Sequence, residues 1–446
     1  MERKNAWAAY AGDDGRVEAF AKAYCDFINN GKTERECVAY GEKLAKAHGF
    51  EDLNAAVRSG RKLEAGARVY ANWMGKSFML FVLGEKPLEE GMNILGAHID
   101  SPRIDVKQNP LYEDTDLAYL DTHYYGGIKK YQWVAIPLAL HGVIVRKTGE
   151  KVIINIGEDE NDPVFCISDL LIHLAQEQMA KNAKDVVEGE ALNLIVGGRP
   201  LAGEEKDAVK ANVLKLLADK YGVEEEDFLS AELEIVQAGK ARDMGFDRSM
   251  ILAYGHDDRV CAYPSMMAVL DYEGTPEYTL CCIVTDKEEI GSVGATGMAS
   301  HYLENTVAEL YACTADYCEL AVRRCLRNSR MLSSDVSAGY DPNFASAFEK
   351  KNSAFLGRGI CFNKFTGSRG KSGSNDANPE FMASLRKIMD DAGVAFQTAE
   401  LGRVDLGGGG TIAYLCAKYG MNVIDSGIPV LSMHAPYEVI SKVDLY

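Results

Sequence analysis

The apolar positions near the start of the chain predict two helices and a pair of strands. Apolar residues recur at helical spacing between residues 17 and 27, and residues 33–36 have the form of a capping box that opens a second helix. Two apolar runs, 69–73 and 78–82, flank a Gly-Lys turn and predict paired strands. Residues 14–82 therefore predict a helical pair followed by a hairpin.

Two further apolar runs predict buried strands that end close to polar side chains. Residues 92–97 lead directly into His98, and residues 280–284 come shortly before the adjacent Glu288 and Glu289. Short, continuous apolar runs are typical of strands buried on both faces, and we interpret 280–284 as a parallel strand. Because open α/β sheets carry their sites at the carboxyl ends of strands, these polar residues are site candidates.

The adjacent glutamates have two interpretations. For an isolated Glu-Glu pair, a solvated acidic turn is the commoner one. Here three glycines between residues 291 and 297 follow the pair, before a helix predicted to begin near Met298. Such a close-packed turn would need a cation or a proton to neutralise two charges. One of the two residues, Glu288 or Glu289, could then bind a metal while the other transfers protons.

The stretch from about residue 103 to 254 has a different character. Its apolar runs predict an antiparallel strand unit, and Ser168 is a plausible N-cap for a helix that runs to about residue 181. Residues 209–221 predict another helix, and clusters of acidic residues predict solvated loops. We interpret this stretch as an inserted domain without evident chemistry of its own.

After residue 254, polar residues again lie at the ends of predicted strands and at the starts of predicted helices. Asp257 and Asp258 precede a helical apolar stripe over 260–270, where an N-cap is the main alternative to a functional role. Asp335 falls near a strand end, and residues 430–434 predict a last strand whose final residue is a histidine.

Two loops are candidates for ligand contact. Residues 357–378, rich in Gly, Ser, Asn and Lys, predict one long loop. Residues 407–410 are four glycines, but no Gly-Lys-Ser/Thr follows them, so they do not form a phosphate loop. The run either lets backbone approach a ligand or makes a tight turn. We take Gly408 and Gly409 as candidate substrate contacts.

Composition narrows the function classes. The chain has 446 residues, 47% of them hydrophobic and 26% charged, which is typical of a soluble globular protein of about two domains. The net charge is −18 and no basic run occurs, which argues against nucleic acid as a partner. No stretch approaches a membrane span. Eleven cysteines without a CxxC pair favour reduced thiols and a cytoplasmic location.

The candidate residues together suit metal-assisted hydrolysis. His98 and Asp100 point the same way from a strand end, so the carboxylate could orient a ligand imidazole, although a lone histidine is more often structural. Two imidazoles and three carboxylates suit zinc, cobalt or manganese, and they supply two metals if one carboxylate bridges. The sixth residue remains as a base. The set is His98, Asp257, Glu288, Glu289, Asp335 and His434.

At this level the sequence resembles the aspartyl aminopeptidase family of co-catalytic dinuclear zinc metallopeptidases, in its bacterial branch. The resemblance runs from about residue 15 to the end, and the matching segments fall in the family's order with its long insertion after the first. The segments are Gly96-Ala97-His98-Ile99-Asp100-Ser101-Pro102, Asp257-Asp258-Arg259, Asp286-Lys287-Glu288-Glu289-Ile290-Gly291-Ser292, Ser334-Asp335 and Met433-His434.

The resemblance implies two zinc ions per chain, which cobalt or manganese can replace. It implies that His98 and Asp335 bind one ion, that Glu289 and His434 bind the other, and that Asp257 bridges them. Glu288 would be the general base and then the acid, and Asp100 would orient His98. The implied activity is removal of N-terminal residues from peptides, with a preference for acidic residues.

The resemblance also implies the architecture and the assembly. The fold would be α/β, with a catalytic domain split between residues 1–102 and 255–446, built on a mixed sheet flanked by helices. A β-rich domain over 103–254 would be inserted and would drive assembly, into a dodecamer in this family. The loop 363–371 would lie near the substrate side chain, where Lys364 and Lys371 are candidates for pairing with an acidic residue.

Two other functions stay open at this point. A di-zinc deacylase or carboxypeptidase would use the same ligand set and differ only in substrate. A non-catalytic scaffold or cargo-binding protein would keep the assembly but lose ligands or base, whereas all six candidates are present.

Overall fold

The structure is a computed structural model that describes residues 4–446. Its α-helices are α1 (Ala6–Ala9), α2 (Asp14–Asn30), α3 (Glu34–Ala47), α4 (Leu53–Ser59), α5 (Gln176–Met179), α6 (Ala208–Tyr221), α7 (His256–Leu270), α8 (Tyr302–Thr314), α9 (Glu319–Asn328), α10 (Ser368–Lys371), α11 (Pro379–Asp391), α12 (Ala413–Ala417) and α13 (Lys442–Leu445). Its strands are β1 (Glu51–Asp52), β2 (Arg68–Trp73), β3 (Ser77–Val82), β4 (Met92–His98), β5 (Arg103–Asp114), β6 (Leu117–Tyr125), β7 (Leu138–Val145), β8 (Lys151–Ile156), β9 (Leu194–Gly197), β10 (Ala231–Gln237), β11 (Arg242–Met244), β12 (Met250–Ala253), β13 (Thr279–Thr285), β14 (Arg330–Ser334), β15 (Ser337–Ala338), β16 (Ile360–Asn363), β17 (Phe396–Thr398), β18 (Asn422–Gly427), β19 (Pro429–Val430) and β20 (Glu438–Ser441).

The chain forms two compact units. The first comprises the residues up to Asp100 together with Ala241–Met433 and Glu438–Tyr446, and the second comprises Ser101–Lys240 and His434–Tyr437. The predicted domain boundaries at residues 102 and 254 stay a prediction, as does the role of the inserted segment in assembly.

A nine-stranded mixed sheet is the centre of the first unit. Its strand order is β1-β2-β3-β13-β4-β14-β18-β16-β17. Strands β13, β4, β14 and β18 run parallel to one another, whereas β3 and β16 flank this group antiparallel. The α/β fold with a mixed sheet flanked by helices, predicted from the sequence, is therefore confirmed.

The parallel strands determine where polar residues meet. In the register of the sheet, Thr285 of β13 lies beside His98 of β4, and Ser333 of β14 lies beside Gly96. The carboxyl ends of these three strands therefore meet at one edge of the sheet, which is where α/β folds build their sites.

Helices cover both faces of this sheet because its strands are apolar on both sides. In β3, Met79 and Phe81 face the core that contains α4, α8, α9 and α12, while Phe78, Leu80 and Val82 face the core of α2, α3 and α7. This alternation follows from the period of two along a strand.

The helix start predicted at residues 33–36 is confirmed. Thr33 accepts a hydrogen bond from the N–H of Glu36, and the Glu36 carboxylate accepts one from the N–H of Thr33. The hairpin predicted around Gly75 and Lys76 is also present, since β2 and β3 pair antiparallel.

The second unit is built on a six-stranded sheet of order β8-β7-β10-β5-β6-β9, in which the pairs are antiparallel. The helix α6 was predicted correctly. The helix predicted from Ser168 to about residue 181 is wrong, because only Gln176–Met179 is helical. Four apolar residues at 170–174 are at least 47% exposed there, so no buried helix face forms.

Two other elements differ from the predictions in the first unit. The predicted loop 357–378 contains strand β16, which lies next to the edge strand β17. Ile360, Cys361 and Phe362 of β16 pair with β17. The predicted strand over 430–434 ends at Val430. Among residues 4–446, no helix is both long and apolar enough to cross a membrane.

A buried carboxyl group lies within the sheet of the first unit. Asp425 of β18 is 2% exposed, and the hydroxyl of Thr411, directly after the glycine run, donates to its Oδ1. Burial raises the pKa of Asp425 to about 7, although the hydrogen bond from Thr411 lowers it.

This pKa predicts a pH-dependent stability that Asp425→Asn should remove. Between about pH 4 and pH 7 the folded protein holds a proton at Asp425 that the unfolded chain has lost, so the free energy of unfolding falls as pH rises through this window. Wild type should therefore lose melting temperature relative to Asp425→Asn between about pH 6 and pH 8. A difference between the two proteins that is equal at both pH values would contradict this assignment.

Candidate metal centre

His98 is the last residue of β4 and is almost completely buried. Its Nδ1 lies 3.0 Å from the backbone oxygen of Asp100 and 3.4 Å from Asp100 Oδ1. Since a carbonyl oxygen can only accept, Nδ1 carries a proton and donates it, and in the neutral ring Nε2 is the nitrogen with the lone pair. This tautomer is the one that a metal ligand needs.

Carboxylates gather on the Nε2 side of the ring. His98 Nε2 lies 3.2 Å from Asp257 Oδ1, 3.9 Å from Glu288 Oε2 and 4.0 Å from Asp335 Oδ1. Four of the six residues predicted as ligands or base therefore meet around one nitrogen. Glu289 also belongs to this cluster, because an oxygen of Glu289 lies within 4.8 Å of ligand atoms of His98 and Asp257.

Asp258 is a member of the cluster that the sequence interpretation did not select. It groups with His98 and Asp335 within 4.8 Å, and its Oδ2 accepts a hydrogen bond of 3.3 Å from the backbone N–H of His98. Both Asp257 and Asp258 have non-helical backbone angles, although they lie within α7. The doubled aspartate was the available signal, but an N-cap explained one of the two equally well.

The two glutamates lie in a short 3-10 turn, Glu288–Ile290, after the end of β13. The helix expected near Met298 begins later, at Tyr302. The backbone N–H groups of Glu288 and Glu289 donate to Asp100 Oδ1 and Oδ2, at 3.1 and 3.2 Å. Asp100 thus contacts the imidazole and the turn with the same carboxylate.

The concentration of negative charge shifts the pKa values in this cluster. Burial raises the pKa of Asp258, and the charge of Asp257 raises it further. Burial and then the charge of Asp258 raise the pKa of Asp335 well above its ordinary value. Burial alone would lower the pKa of His98, but hydrogen bonds to Asp100 and Asp257 outweigh burial and hold it well above its usual range. All three shifts report an excess of buried negative charge.

His434, the remaining predicted ligand, lies in a turn rather than at a strand end. Its φ is +65°, and its Nδ1 donates to the backbone oxygen of Gly127 at 2.9 Å. Nε2 is again the nitrogen with the lone pair. The strand prediction for this segment was wrong because the backbone turns at Ser432 and His434, whose φ values are +59° and +65°. The ligand role of His434 stays a prediction.

The predicted substrate loops lie beside each other. Gly409 donates its N–H to Thr366 O at 2.9 Å, and Gly408 has a φ of +112°, which favours glycine. A cavity of about 280 Å³ is lined by residues of both loops, including Lys371 and Gly408. Lys364 does not line it.

The two predicted cations already have a partner on the protein. Lys371 Nζ lies 3.1 Å and Lys364 Nζ 3.6 Å from the Asp376 carboxylate, and the three side chains are between 44% and 49% exposed. The hydrogen bond from Lys371 and the charge of Lys364 lower the pKa of Asp376. A substrate carboxylate would therefore compete with Asp376.

The donor set fits a borderline divalent cation. One imidazole and several carboxylate oxygens within 4.8 Å of one another match the ligands of zinc, cobalt and manganese. Burial and, after it, the neighbouring carboxylates raise the pKa values of Asp258 and Asp335, and a cation bound here would stabilise the charged carboxylates. The cluster is therefore suited to hold metal, next to a carboxylate that can move protons.

Comparisons with known proteins agree with this chemistry. Residues 27–446 match the family model described as aminopeptidase I zinc metalloprotease (M18). A probable M18 family aminopeptidase 1 of Clostridium acetobutylicum is 58% identical, and the alignment covers 100% of this chain and 96% of that protein.

Solved structures show the same fold. The crystal structure of an M18 aminopeptidase from Thermotoga maritima matches with a TM-score of 0.94 and 43% identity, covering 100% of this chain and 97% of that one. The S. cerevisiae mApe1 dodecamer matches with a TM-score of 0.77 and 21% identity over 95% of this chain and 93% of that one. At that identity the yeast structure supports the fold alone.

The match to the family model over residues 27–446 and the identity to bacterial relatives place the chain in one enzyme family. That family is described as zinc metalloproteases, and the donor groups around His98 suit such a metal. The chain belongs to the M18 family of zinc metalloproteases and is an aminopeptidase.

Proposed function

We propose that each chain binds two zinc ions, which cobalt or manganese can replace. The observation that carries this proposal is the pair of donor groups that share His98, one with Asp258 and Asp335 and one with Asp257 and Glu289. His98 and Asp335 would hold the first ion and Glu289 and His434 the second, with Asp257 as the ligand common to both. Two neighbouring groups of carboxylate and imidazole donors are what a pair of ions requires.

The neighbouring residues hold these ligands in place. Asp100 keeps the Nδ1 proton on His98, and Asp258 binds the backbone N–H of the same residue. Zinc bound here supplies Lewis acidity toward the scissile carbonyl and toward water. Glu288, 14% exposed and next to the ligand side chains, accepts a proton from the attacking water and returns it to the leaving amine.

We further propose that the substrates are peptides with an unblocked N-terminus and that acidic N-terminal residues are preferred. Lys364 and Lys371 supply positive charge near the cavity, Gly408 lines it, and Gly409 binds the backbone oxygen of Thr366, which also lines it. The charges at the cavity are not all positive, since Glu400 and Asp405 also line it. The preference is therefore modest.

The same proposal includes self-association and a cytoplasmic location. Leu170, Leu171, Ile172 and Leu174 form an apolar run on the surface of the second unit, each at least 47% exposed. An exposed apolar run of this kind is typical of an interface between subunits. The homo-oligomer that the family resemblance implies, as large as a dodecamer, would bury this run. Eleven free cysteines suit a reducing compartment.

The role of Glu288 predicts that Glu288→Gln separates metal binding from turnover. The amide keeps the shape of the side chain but cannot accept a proton, so kcat should fall by about a hundredfold or more. Elemental analysis should still find two zinc ions per chain. Glu380→Gln, an exposed change of the same chemistry on α11, is the matched control and should keep wild-type kcat.

The same assays separate the alternatives. Release of a free N-terminal amino acid from an unblocked peptide, but not from its acetylated form, identifies an aminopeptidase rather than a deacylase. Near-normal turnover of metal-loaded Glu288→Gln would move the base to another residue, with Glu289 the next candidate. Pure, active wild type without a transition metal would reject the whole proposal.

The specificity proposal predicts a smaller preference for acidic residues in Lys364→Met. Because the Lys364 side chain is 47% exposed, solvent screens its charge. We therefore expect the Asp-to-Leu ratio of kcat/KM to fall by about two- to fivefold, the range of exposed ion pairs. Lys387→Met, an exposed lysine paired with Asp391 on α11, is the control. A wild type that prefers leucine, or an unchanged ratio in Lys364→Met, would remove Lys364 from this role.

A further inference from the structure

A buried lysine lies beneath the turn that carries Glu288 and Glu289. Lys76 is the residue before β3, in the turn of the β2–β3 hairpin, and its side chain is 9% exposed. Its Nζ lies 3.0 Å from Glu34 Oε1 and 3.5 Å from Asp286 Oδ2. Both of these carboxylate side chains are fully buried, so the ammonium group is the positive charge between them.

Asp286 connects this lysine to both ends of the turn. It directly follows β13, and its Oδ2 accepts hydrogen bonds from Thr296 Oγ1 at 2.5 Å and from Lys287 Nζ at 2.8 Å. The hairpin adds a second link, since Ser77 Oγ accepts from the N–H of Asp286 and donates to the backbone oxygen of Thr296. Residues 286 and 296 are thus held together from the Lys76 side.

The turn between those residues needs such support. Lys287 and Ser292 have φ values of +70° and +59°, in the left-handed region that non-glycine residues rarely adopt. A backbone of this kind persists only where surrounding contacts determine it. On the opposite side, the Asp100 carboxylate accepts hydrogen bonds from the N–H groups of Glu288 and Glu289.

We propose that Lys76 is a positioning residue, which through its ion pair with Asp286 holds the turn of residues 286–297 so that Glu288 and Glu289 face His98. Lys76 acts through Asp286, whose Oδ2 lies 3.5 Å from its Nζ. The inference rests on the proposed function for the consequence in catalysis, but the geometry of the turn can be tested without metal.

Lys76→Met is the test, because methionine keeps the length of the side chain and removes its charge. Misplacing the base and one ligand should lower kcat by about tenfold or more and change KM by less than about threefold, since a displacement of about 1 Å can cost two orders of magnitude in rate. In the metal-free protein, amide hydrogen exchange over residues 287–297 should become faster.

Lys442→Met is the matched control. Lys442 is an equally buried lysine, 2% exposed, and it also lies between two carboxylates, Glu18 at 2.7 Å and Asp243 at 2.9 Å. Its loss should lower the melting temperature, because methionine leaves two carboxylates, 54% and 39% exposed, without their cation. It should leave kcat, KM and the exchange of residues 287–297 within about twofold of wild type.

Asp286→Asn is the second variant, which decides the matter if Lys76→Met does not fold. It should show the same fall in kcat and the same faster exchange. Where both single variants fold, the double variant should be no worse than either one, because contacting residues that act together are not additive. Additive losses, or a kcat unchanged in Lys76→Met, would overturn the proposal, as would equal losses of kcat in Lys76→Met and Lys442→Met.

Two further measurements distinguish a failure of the proposed function from a failure of the positioning role of Lys76. A wild type without zinc-dependent aminopeptidase activity would reject the proposed function. Unchanged exchange of residues 287–297 in Lys76→Met and Asp286→Asn would reject the positioning role, whatever the activity of the wild type.

Discussion

Repulsion between buried carboxylates is the constraint on which this structure depends. Three neighbouring parallel strands end at one edge of the sheet. The residues after β13 and β14 bring two glutamates and Asp335 to a single imidazole, and the start of α7 brings Asp257 and Asp258. A protein interior does not tolerate several unpaired negative charges in one place. Burial, and then the neighbouring negative charges, raise the pKa values of Asp258 and Asp335, and a divalent cation would offset both effects.

The surrounding contacts can be understood as answers to the same constraint. The Asp100 carboxylate contacts the His98 ring and accepts hydrogen bonds from two backbone N–H groups. These donors stabilise its negative charge. On the far side of the turn, the single positive charge of Lys76 lies between Asp286 and Glu34. The carboxylates beside His98 are therefore the ones available to bind metal.

The sequence predicted the parts of the fold whose signals are local. Apolar runs that end in polar residues predicted β4 and β13, and with them the positions of His98 and the glutamate pair, because a buried strand has few alternatives. The capping box at Thr33 predicted the start of α3, because its hydrogen bonds join residues that are close in sequence. The inserted stretch from about residue 103 to 254 was predicted from its change in sequence character, and the resemblance implied the same partition.

The misses have physical causes. Asp258 was passed over because an N-cap explains an aspartate at a helix start as well as a functional role does. The helix predicted from Ser168 is absent, because its apolar residues are exposed in the second unit and do not pack as a helix face. The role of Lys76 was not visible at all, because Glu34 and Asp286 are far from it in sequence and only the fold brings the three charges together.

The most direct test of the account is the position of the metal. We would measure anomalous diffraction at the zinc edge from crystals of the wild-type protein prepared with zinc. The account predicts two peaks per chain, about 3.5–4 Å apart, with Asp257 in contact with both, His98 and Asp335 at one, and Glu289 and His434 at the other. A single peak, or peaks that Asp257 does not touch, would contradict the bridged pair on which the proposed mechanism rests.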